Sequence, residues 1–259
     1  VGMTTTSGIC INETCVVPGD NTGALSAGAL LSHPEVEAAV LETARGGIVR
    51  RGLGYDWADV GVVTNISNDH LGQDGLETLE DIAHVKALVV EAVRPGGWAV
   101  LNADDPMVQY FANRARCKIL YFSWDERNRR VAAHLERGGR AVCLRGNKIM
   151  AFEGGEARTI AAVGAIPITY GGKAACNIEN AMAATAALLA LDVPDARIRD
   201  ALTGFMPDER DNPGRFNIFQ MDGFSVMLDY GHNVAGYEQV IQFLEKQDAE
   251  RLVGVIGVP

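Results

Sequence analysis

Groups able to hold a metal ion and a phosphate occur close together early in the chain. The stretch 64–72 contains Asp69 and His70, Glu42 precedes it, and Lys86 follows it. Glu42 and this stretch both follow apolar runs typical of buried strands, and ligands of open α/β sheets bind outside the carboxyl ends of strands. Carboxylate oxygens suit Mg²⁺, and imidazole is a common metal ligand. The pattern therefore predicts a rim that holds Mg²⁺ and phosphate.

Each of these groups also has a purely structural interpretation. Glu42 is then a strand-end carboxylate that faces solvent, Asp69 caps a turn, and His70 is a surface residue. Lys86 lies seven residues after Leu79, on the apolar stripe of a predicted helix, where an ammonium snorkels or finds a partner. Burial would instead favour the neutral amine, which can react with CO₂ to give a carbamate.

A second group of polar residues lies near the end of the chain. The run 229–233 is Asp-Tyr-Gly-His-Asn and follows an apolar strand-like stretch, which is typical of a binding loop. Arg215 lies at a predicted domain junction, where an arginine can clamp a phosphate. An ordinary turn and a surface salt bridge are the structural alternatives.

Several nucleotide and hydrolase motifs are missing from the sequence. The Gly-Lys pair at 172–173 is followed by Ala174, so it does not complete a phosphate-binding loop. The patterns H-E-x-x-H, G-x-S-x-G and G-x-G-x-x-G do not occur either.

Short apolar runs alternate with helical patterns in the first half, which predicts a mostly parallel central sheet flanked by helices. The predicted strands are 36–41, 60–66 and 98–101, with a helix over 76–93 that ends at the Pro-Gly-Gly run 95–97. Glycines spaced eight residues apart between 131 and 160 predict a small antiparallel meander as a satellite sheet.

The second half returns to helical patterns and then changes at a polar loop. Helices are predicted over 177–191 and 194–205, and the Pro- and Gly-rich stretch 207–214 is a predicted linker. A hairpin, a helix and a strand follow, over 216–227, 236–246 and 252–259. The sequence therefore predicts two domains, 1–213 and 214–259, the second being the start of a Rossmann-like α/β domain.

Composition limits the classes of partner and compartment. The net charge is −10 and no basic stripe occurs, which argues against a nucleic-acid partner. Five scattered cysteines predict reduced thiols in a cytoplasmic protein. The sequence carries no signal-peptide pattern and no apolar run long enough to span a membrane.

Both ends of the chain predict a piece of a longer protein. The first residue is Val1 rather than Met, and the apolar run 252–259 has the character of a buried strand at which a domain rarely ends.

Taken in order, several motifs resemble those of the Mur ligase family, the ATP-dependent amide-bond-forming ligases of peptidoglycan, folylpolyglutamate and cyanophycin synthesis. The resemblance covers essentially the whole chain. It rests on five stretches: Val-Gly-Met-Thr-Thr-Thr at 1–6, Leu-Glu-Thr-Ala-Arg-Gly-Gly-Ile at 41–48, Thr-Asn-Ile with Asp-His-Leu-Gly within 64–72, Leu-Asn-Ala-Asp-Asp-Pro at 101–106, and the run 229–233.

The resemblance implies roles for individual residues. It implies Glu42 and His70 as Mg²⁺ ligands, and Lys86 as the lysine that many Mur ligases carry as a carbamate. It implies that Asn177 and Asn180 lie on the adenine side of the nucleotide. It implies that Arg215 and Asp229 contact the nucleotide across a domain cleft. His232 and Asn233 would lie in the loop that faces phosphate and substrate.

The resemblance also implies a two-step reaction. A substrate carboxylate attacks the γ-phosphate of ATP to give an acyl phosphate and ADP, and an amine then displaces phosphate to form the amide. In the cyanophycin-type case the acceptor is an aspartate side chain in a polymer and the amine is arginine. The longer protein would be a cytoplasmic enzyme and a candidate homo-oligomer.

Three departures from the family affect this expectation. The phosphate-binding loop would precede Val1, and Cys176 stands before Asn177 where many Mur ligases have His. The C-terminal domain is also expected to stop after its first strands, although the family builds its amino-acid pocket largely there. The chain alone is therefore expected to be inactive or nearly so. The alternatives are a degenerate Mur-like scaffold that binds partners without hydrolysing ATP, or a peptidoglycan or folate ligase.

Overall fold

The structure is a computed structural model that describes residues 1–12, 14–67 and 71–257. Its strands are Gly2–Thr4 (β1), Gly8–Ile11 (β2), Thr14–Pro18 (β3), Ala39–Leu41 (β4), Ala58–Val63 (β5), Val93–Asn102 (β6), Lys118–Ser123 (β7), Arg140–Arg145 (β8), Lys148–Glu153 (β9), Glu156–Ala162 (β10), Asn217–Gln220 (β11) and Ser225–Leu228 (β12).

Helices separate most of these strands. They are Ala24–Leu31 (α1), Arg45–Arg51 (α2), Leu79–Glu91 (α3), Val108–Arg114 (α4), Arg129–Glu136 (α5), Ala175–Ala190 (α6), Asp195–Gly204 (α7) and Val234–Glu245 (α8). Two short 3₁₀ helices, Val163–Ala165 and Pro167–Gly172, precede α6. In the described part of the chain, no helix is both long and apolar enough to cross a membrane.

The chain packs as two compact units. The first contains Val1–Leu101 and Asp105–Ile119, and the second contains Asn102–Asp104 and Leu120–Pro259. The predicted domain boundary at 213/214 stays a prediction, because the second unit takes in residues on both sides of it.

The fold class predicted from the sequence is confirmed. The largest sheet has six strands in the order β10-β9-β8-β7-β6-β5, and the pairs β5–β6 and β7–β8 are parallel. The predicted antiparallel meander is β8-β9-β10, and it continues this sheet rather than standing beside it. A four-stranded sheet, β3-β2-β1-β4, and the β11–β12 hairpin complete the described sheets.

In the first unit, α3 lies close against β5. A Cβ atom at Gly61 would come within 2.5 Å of the carbonyl oxygen of Val89, so the glycine permits this approach. The apolar residues Ile82, Ala83, Ala87 and Val90 are buried on the inward side of the helix. A capping box begins α3, since the Thr78 side chain accepts from the Asp81 N–H and the Asp81 carboxylate accepts from the Thr78 N–H.

Two predictions about element ends are wrong. The helix already ends at Glu91, and the Pro-Gly-Gly run 95–97 lies within β6, at a register irregularity between the pairs Ala58–Val93 and Val60–Trp98. The strand predicted over 252–259 does not form over 252–257, where Val255 is 97% exposed and no neighbouring described strand supplies hydrogen bonds. Residues 258 and 259 lie outside the described residues.

Candidate functional site

A cleft of about 370 Å³ in the second unit gathers most of the site residues predicted from the sequence. Two come from α6, and the others come from the loops that flank the β11–β12 hairpin and from the start of α8. They are Asn177, Asn180, Arg215, Asp229, His232 and Asn233. Residues far apart in the sequence therefore meet at one place.

The α6 wall of the cleft presents two amides with different environments. The Asn177 side chain is 7% exposed and its Nδ2 donates to the Ile168 carbonyl oxygen at 2.7 Å. Asn180, three residues later, lies on the same side of the helix and is exposed. The side-chain amide of Asn180 makes no hydrogen bond within the described residues. Asn177 therefore fixes the helix to the preceding segment, and Asn180 is available to a ligand.

Cys176 lies at the same wall, at the position where the resemblance expects His. Burial raises the pKa of this thiol, so it remains protonated at neutral pH and carries no charge into the cleft.

Asp229 holds the two loops of the hairpin together. One carboxylate oxygen accepts from the Phe216 N–H at 3.0 Å, and the other accepts from the Gly231 N–H at 2.7 Å. Phe216 has a φ of 53°, a left-handed conformation that is unfavourable for a bulky residue. The bond from Asp229 stabilises this conformation and so places the adjoining Arg215 at the cleft.

A cluster of three aromatic rings packs against the same loop. The rings of Phe216 and Tyr170 each lie 5.1 Å from the ring of Phe243, in edge-to-face geometry. The Tyr170 hydroxyl also donates to the Phe216 carbonyl oxygen. Phe243 is 1% exposed, so α8 is tied to the loop through a buried contact.

Arg215 supplies the positive charge of the cleft. Its guanidinium lies over the Tyr230 ring, 5.2 Å from the centroid, and the side chain is exposed. Within the described residues, no carboxylate lies within salt-bridge distance of it. Stacking orients the guanidinium, which keeps its donors for an anion.

The loop after Asp229 leads into the start of α8. Asn233 caps this helix, because its Oδ1 accepts from the Gly236 N–H at 2.8 Å. His232 Nδ1 lies 3.2 Å from the Tyr230 carbonyl oxygen. A carbonyl oxygen can only accept, so Nδ1 carries the proton in this arrangement. The tautomer with its proton on Nδ1 has Nε2 as the nitrogen that can accept.

Only some residues of the predicted rim in the first unit lie within the described part of the chain. Glu42 directly follows β4, and its Oε2 accepts from the Thr6 N–H at 3.0 Å. Lys86 lies half-buried on α3. His70 and Asp69 lie outside the described residues. No group of three or more His, Cys, Asp or Glu side chains that could hold a metal occurs in the described ranges. Because His70 lies outside the described residues, the assignment of Mg²⁺ to Glu42 and His70 stays a prediction.

Comparison with known proteins decides the family. Residues 1–188 match the model of the Mur ligase middle domain. The chain belongs to the Mur ligase family. The resemblance predicted from the sequence motifs is thereby confirmed.

Relatives from this family match the whole chain. Cyanophycin synthetase of Geminocystis herdmanii is 44% identical over all 259 residues, and that of Synechocystis sp. is 42% identical. In both cases the chain spans 30% of the relative's length. A solved UDP-N-acetylmuramoyl-L-alanyl-D-glutamate–2,6-diaminopimelate ligase aligns with 96% of this chain and 48% of its own, at 20% identity and a TM-score of 0.67. That likeness concerns the fold alone.

For this member of the Mur ligase family, sequence reasoning missed the positioning role of Asp105. Its side chain is 9% exposed and accepts from the N–H groups of Ile66 and Met107, both at 2.7 Å. It therefore fixes Ile66, just after β5. The Asn-Ala-Asp-Asp run directly after an apolar strand is the signal that could have found it.

Two more polar residues with structural roles were missed. In the second unit, Asn102 Nδ2 donates to Glu179 at 2.9 Å and so anchors α6. In the first unit, the Arg45 side chain is 9% exposed and pairs with Asp74 at 2.9 Å. Arginine directly before two glycines at a strand end was the available signal for Arg45.

Proposed function

We propose that the chain is the nucleotide-binding part of an ATP-dependent ligase that forms amide bonds. The observation that carries the proposal is the cleft of the second unit, where Asn180 and Arg215 remain available while Asp229 and Asn233 hold the surrounding loops. Its volume lies in the range of small-molecule sites.

The groups of the cleft suit the two ends of an adenine nucleotide. The Asn180 amide offers a donor and an acceptor, as the edge of a purine requires. The Arg215 guanidinium suits a phosphate, which it can bind through two parallel hydrogen bonds. The start of α8 adds N–H groups and the positive end of a helix dipole beside Asn233. The fold of a Thermotoga maritima MurF ligase in complex with ADP, at a TM-score of 0.57 over 95% of this chain, is consistent with this use.

The proposed reaction passes through an acyl phosphate. A carboxylate oxygen attacks the γ-phosphorus, the bond to the β-phosphate oxygen breaks, and ADP leaves; an amine nitrogen then forms the amide as inorganic phosphate leaves. Arginine and an aspartate side chain of a polymer are the proposed substrates, supported by the relatives named cyanophycin synthetase. Arg215 would stabilise negative charge on the phosphoryl oxygens.

Lys86 and His232 are the proposed catalytic residues. His232 lies in the cleft with Nε2 as its acceptor, so it suits a proton transfer from the attacking amine. Lys86 lies on α3 in the first unit, and its modification by CO₂ stays a prediction. The assignment of Mg²⁺ to Glu42 and His70, the cytoplasmic location and a homo-oligomer of the longer protein also stay predictions.

Nucleotide binding tests the proposal most simply. We expect the chain to bind ADP, measured by isothermal titration calorimetry, and Arg215→Ala to weaken binding by roughly 10- to 100-fold because a charge-assisted bond is lost. Arg197→Ala is the matched control, since Arg197 is an exposed arginine on α7 away from the cleft. Equal affinity in both variants would remove Arg215 from the site.

The chemistry needs a separate assay with the longest protein that contains this sequence. We expect ADP release to rise when arginine and an aspartate-containing polymer are added together. If ADP binds but ADP release does not rise with that pair, the enzyme uses a different acceptor and a different amine. Failure to bind ADP at all would favour a non-catalytic Mur-like scaffold.

A further inference from the structure

We propose that Cys10 and Cys15 form a thiol pair that reacts with low-molecular-weight disulfides to give a reversible internal disulfide. The two residues lie on neighbouring antiparallel strands, β2 and β3, and they are cross-strand partners beside a register irregularity between Ile9 and Cys10. The other three cysteines, Cys117, Cys143 and Cys176, lie far away in the sequence. The site is in the first unit and is independent of the proposed nucleotide cleft.

The register places the two sulfur atoms on one face of the sheet. Directly opposite residues of an antiparallel pair have Cα atoms about 4.5–5.5 Å apart, which lies within the roughly 4.4–6.8 Å that a disulfide needs between its Cα atoms. A Cβ atom at Gly8 would lie 2.7 Å from the Cys15 sulfur, so this sulfur lies on the face of the sheet where a Gly8 side chain would project. Gly8 and Cys10 share a face because strand side chains alternate. Both thiols are therefore on the same side, within reach of one another.

The contact between the thiols has an electrostatic consequence. Burial raises the pKa of the Cys10 thiol, and hydrogen bonding to Cys15 and the Cys15 charge raise it further. These causes require the two side chains to be neighbours already in the reduced state. Forming the bond then needs no change of strand register.

Small oxidants can reach this face of the sheet. Ile9 and Ile11 are buried against Leu30 on the opposite face, so Cys10 points away from that core. Cys15 is exposed and Cys10 is partly exposed. In β1, Met3 is the cross-strand partner of Cys10, and it is 39% exposed.

The exposures of the two thiols suggest the order of the steps. The Cys15 thiolate attacks one sulfur of the small disulfide, a bond forms between them, and one small thiolate leaves and takes up a proton. The Cys10 thiolate then attacks the Cys15 sulfur, the mixed disulfide breaks, and the second small thiolate leaves. Two protein thiols are oxidised by two electrons, and the small disulfide is reduced to two thiols.

The position of the pair links it to a loop of the predicted rim. The turn Thr5–Gly8 connects β1 to β2 and carries the Thr6 N–H that donates to Glu42. Asn21, just after β3, donates its N–H to the Thr5 carbonyl oxygen at 3.0 Å. A bond between β2 and β3 therefore restrains both sides of this turn.

The test is oxidation of the folded chain with glutathione disulfide, followed by mass spectrometry of the intact chain and of its peptides. We expect the number of free thiols to fall by two from the five of the reduced chain, with one internal disulfide between Cys10 and Cys15. Dithiothreitol should restore all of them. The mass loss of about 2 Da identifies an internal disulfide rather than an adduct.

Variants separate this pair from general thiol oxidation. Cys10→Ser should stop at a stable glutathione adduct on Cys15, and Cys15→Ser should give no internal disulfide in this hairpin. Cys117→Ser is the control and should behave like the original chain. A lasting adduct on the unaltered chain, a bond to any other cysteine, a disulfide-linked dimer or no thiol loss would each overturn the proposal. The peptide map of the unaltered chain decides the matter even if a variant fails to fold.

Discussion

The cleft of the second unit and the rim of the first unit both attract attention in the sequence, yet they differ in how their polar groups are used. In the cleft, Asp229 and Asn233 bind backbone N–H groups, and Asn180 and Arg215 remain for a ligand. At the rim, the described carboxylate of Glu42 binds the Thr6 N–H. A binding site needs some polar groups to hold its loops and others to meet the ligand. The cleft combines the two.

The largest expected effect comes from removing the support of the cleft. Phe243→Ala deletes a buried ring between Tyr170 and Phe216, so we expect a loss of about 4 kcal/mol in the free energy of unfolding. ADP binding should weaken as well, because Phe216 adjoins Arg215. Urea denaturation and calorimetry measure the two effects.

The control for that variant is Phe224→Ala. Phe224 is 61% exposed at the turn of the hairpin, so its loss should change stability by less than about 0.5 kcal/mol. Normal ADP affinity in folded Phe243→Ala would show that the aromatic cluster does not position Arg215.

A second variant tests whether the first unit acts separately from the cleft. Asp105→Ala leaves the N–H groups of Ile66 and Met107 without their acceptor, so we expect a loss of about 2–3 kcal/mol. ADP affinity should stay unchanged if nucleotide binding depends on the cleft alone. Asp56→Ala removes an exposed carboxylate of the same unit and is the control. Weaker ADP binding in Asp105→Ala only would show that the loop after β5 contributes to the site.

The sequence predicted those features that depend on local pattern. The apolar stripe of α3 and the glycine spacing of the β8-β9-β10 meander both predicted their elements, because periodicity and turn chemistry act over short distances. The Pro-Gly-Gly run 95–97 misled as a helix end, since it lies at an irregularity within β6, between the pairs Ala58–Val93 and Val60–Trp98. Residues 252–257 also misled, because an apolar run forms a strand only where another strand supplies hydrogen bonds.

The sequence predicted which residues line the cleft better than it predicted what each side chain does there. The motifs identified Asn177, Asp229 and Asn233, and all three line the cleft. Their bonds to backbone groups could not be predicted, because the partners lie in other elements or depend on the local helix start. Asp105 was missed for the same reason, as its partner Ile66 lies 39 residues away.

The smallest expected effect concerns the start of α3, the helix that carries Lys86. Thr78→Ala removes the helix cap and should cost about 1 kcal/mol. The Thr78 side chain, and then the N–H groups of Thr78 and Glu77, lower the pKa of Asp81 below its ordinary 3.8. The carboxylate therefore contributes stability above pH 3.8, and that contribution is lost as the pH falls through the lower, folded-state pKa.

Acid denaturation of three variants and of the original chain checks this sign. Below pH 3.8 the free energy of unfolding should fall less steeply in Thr78→Ala and in Asp81→Asn than in the original chain. Glu80→Gln should follow the original chain, since Glu80 takes no part in the capping box. An unchanged acid profile in Asp81→Asn would remove the capping box as its cause.

Hydrogen–deuterium exchange with and without ADP tests the central claim most directly, because it reports each segment of the chain separately. The account predicts that ADP slows exchange at 214–216 and 231–236, around Arg215 and the start of α8, and leaves 2–12 and 39–67 unchanged. Protection confined to the first unit, or no protection with ADP bound, would contradict the placement of the nucleotide in the cleft.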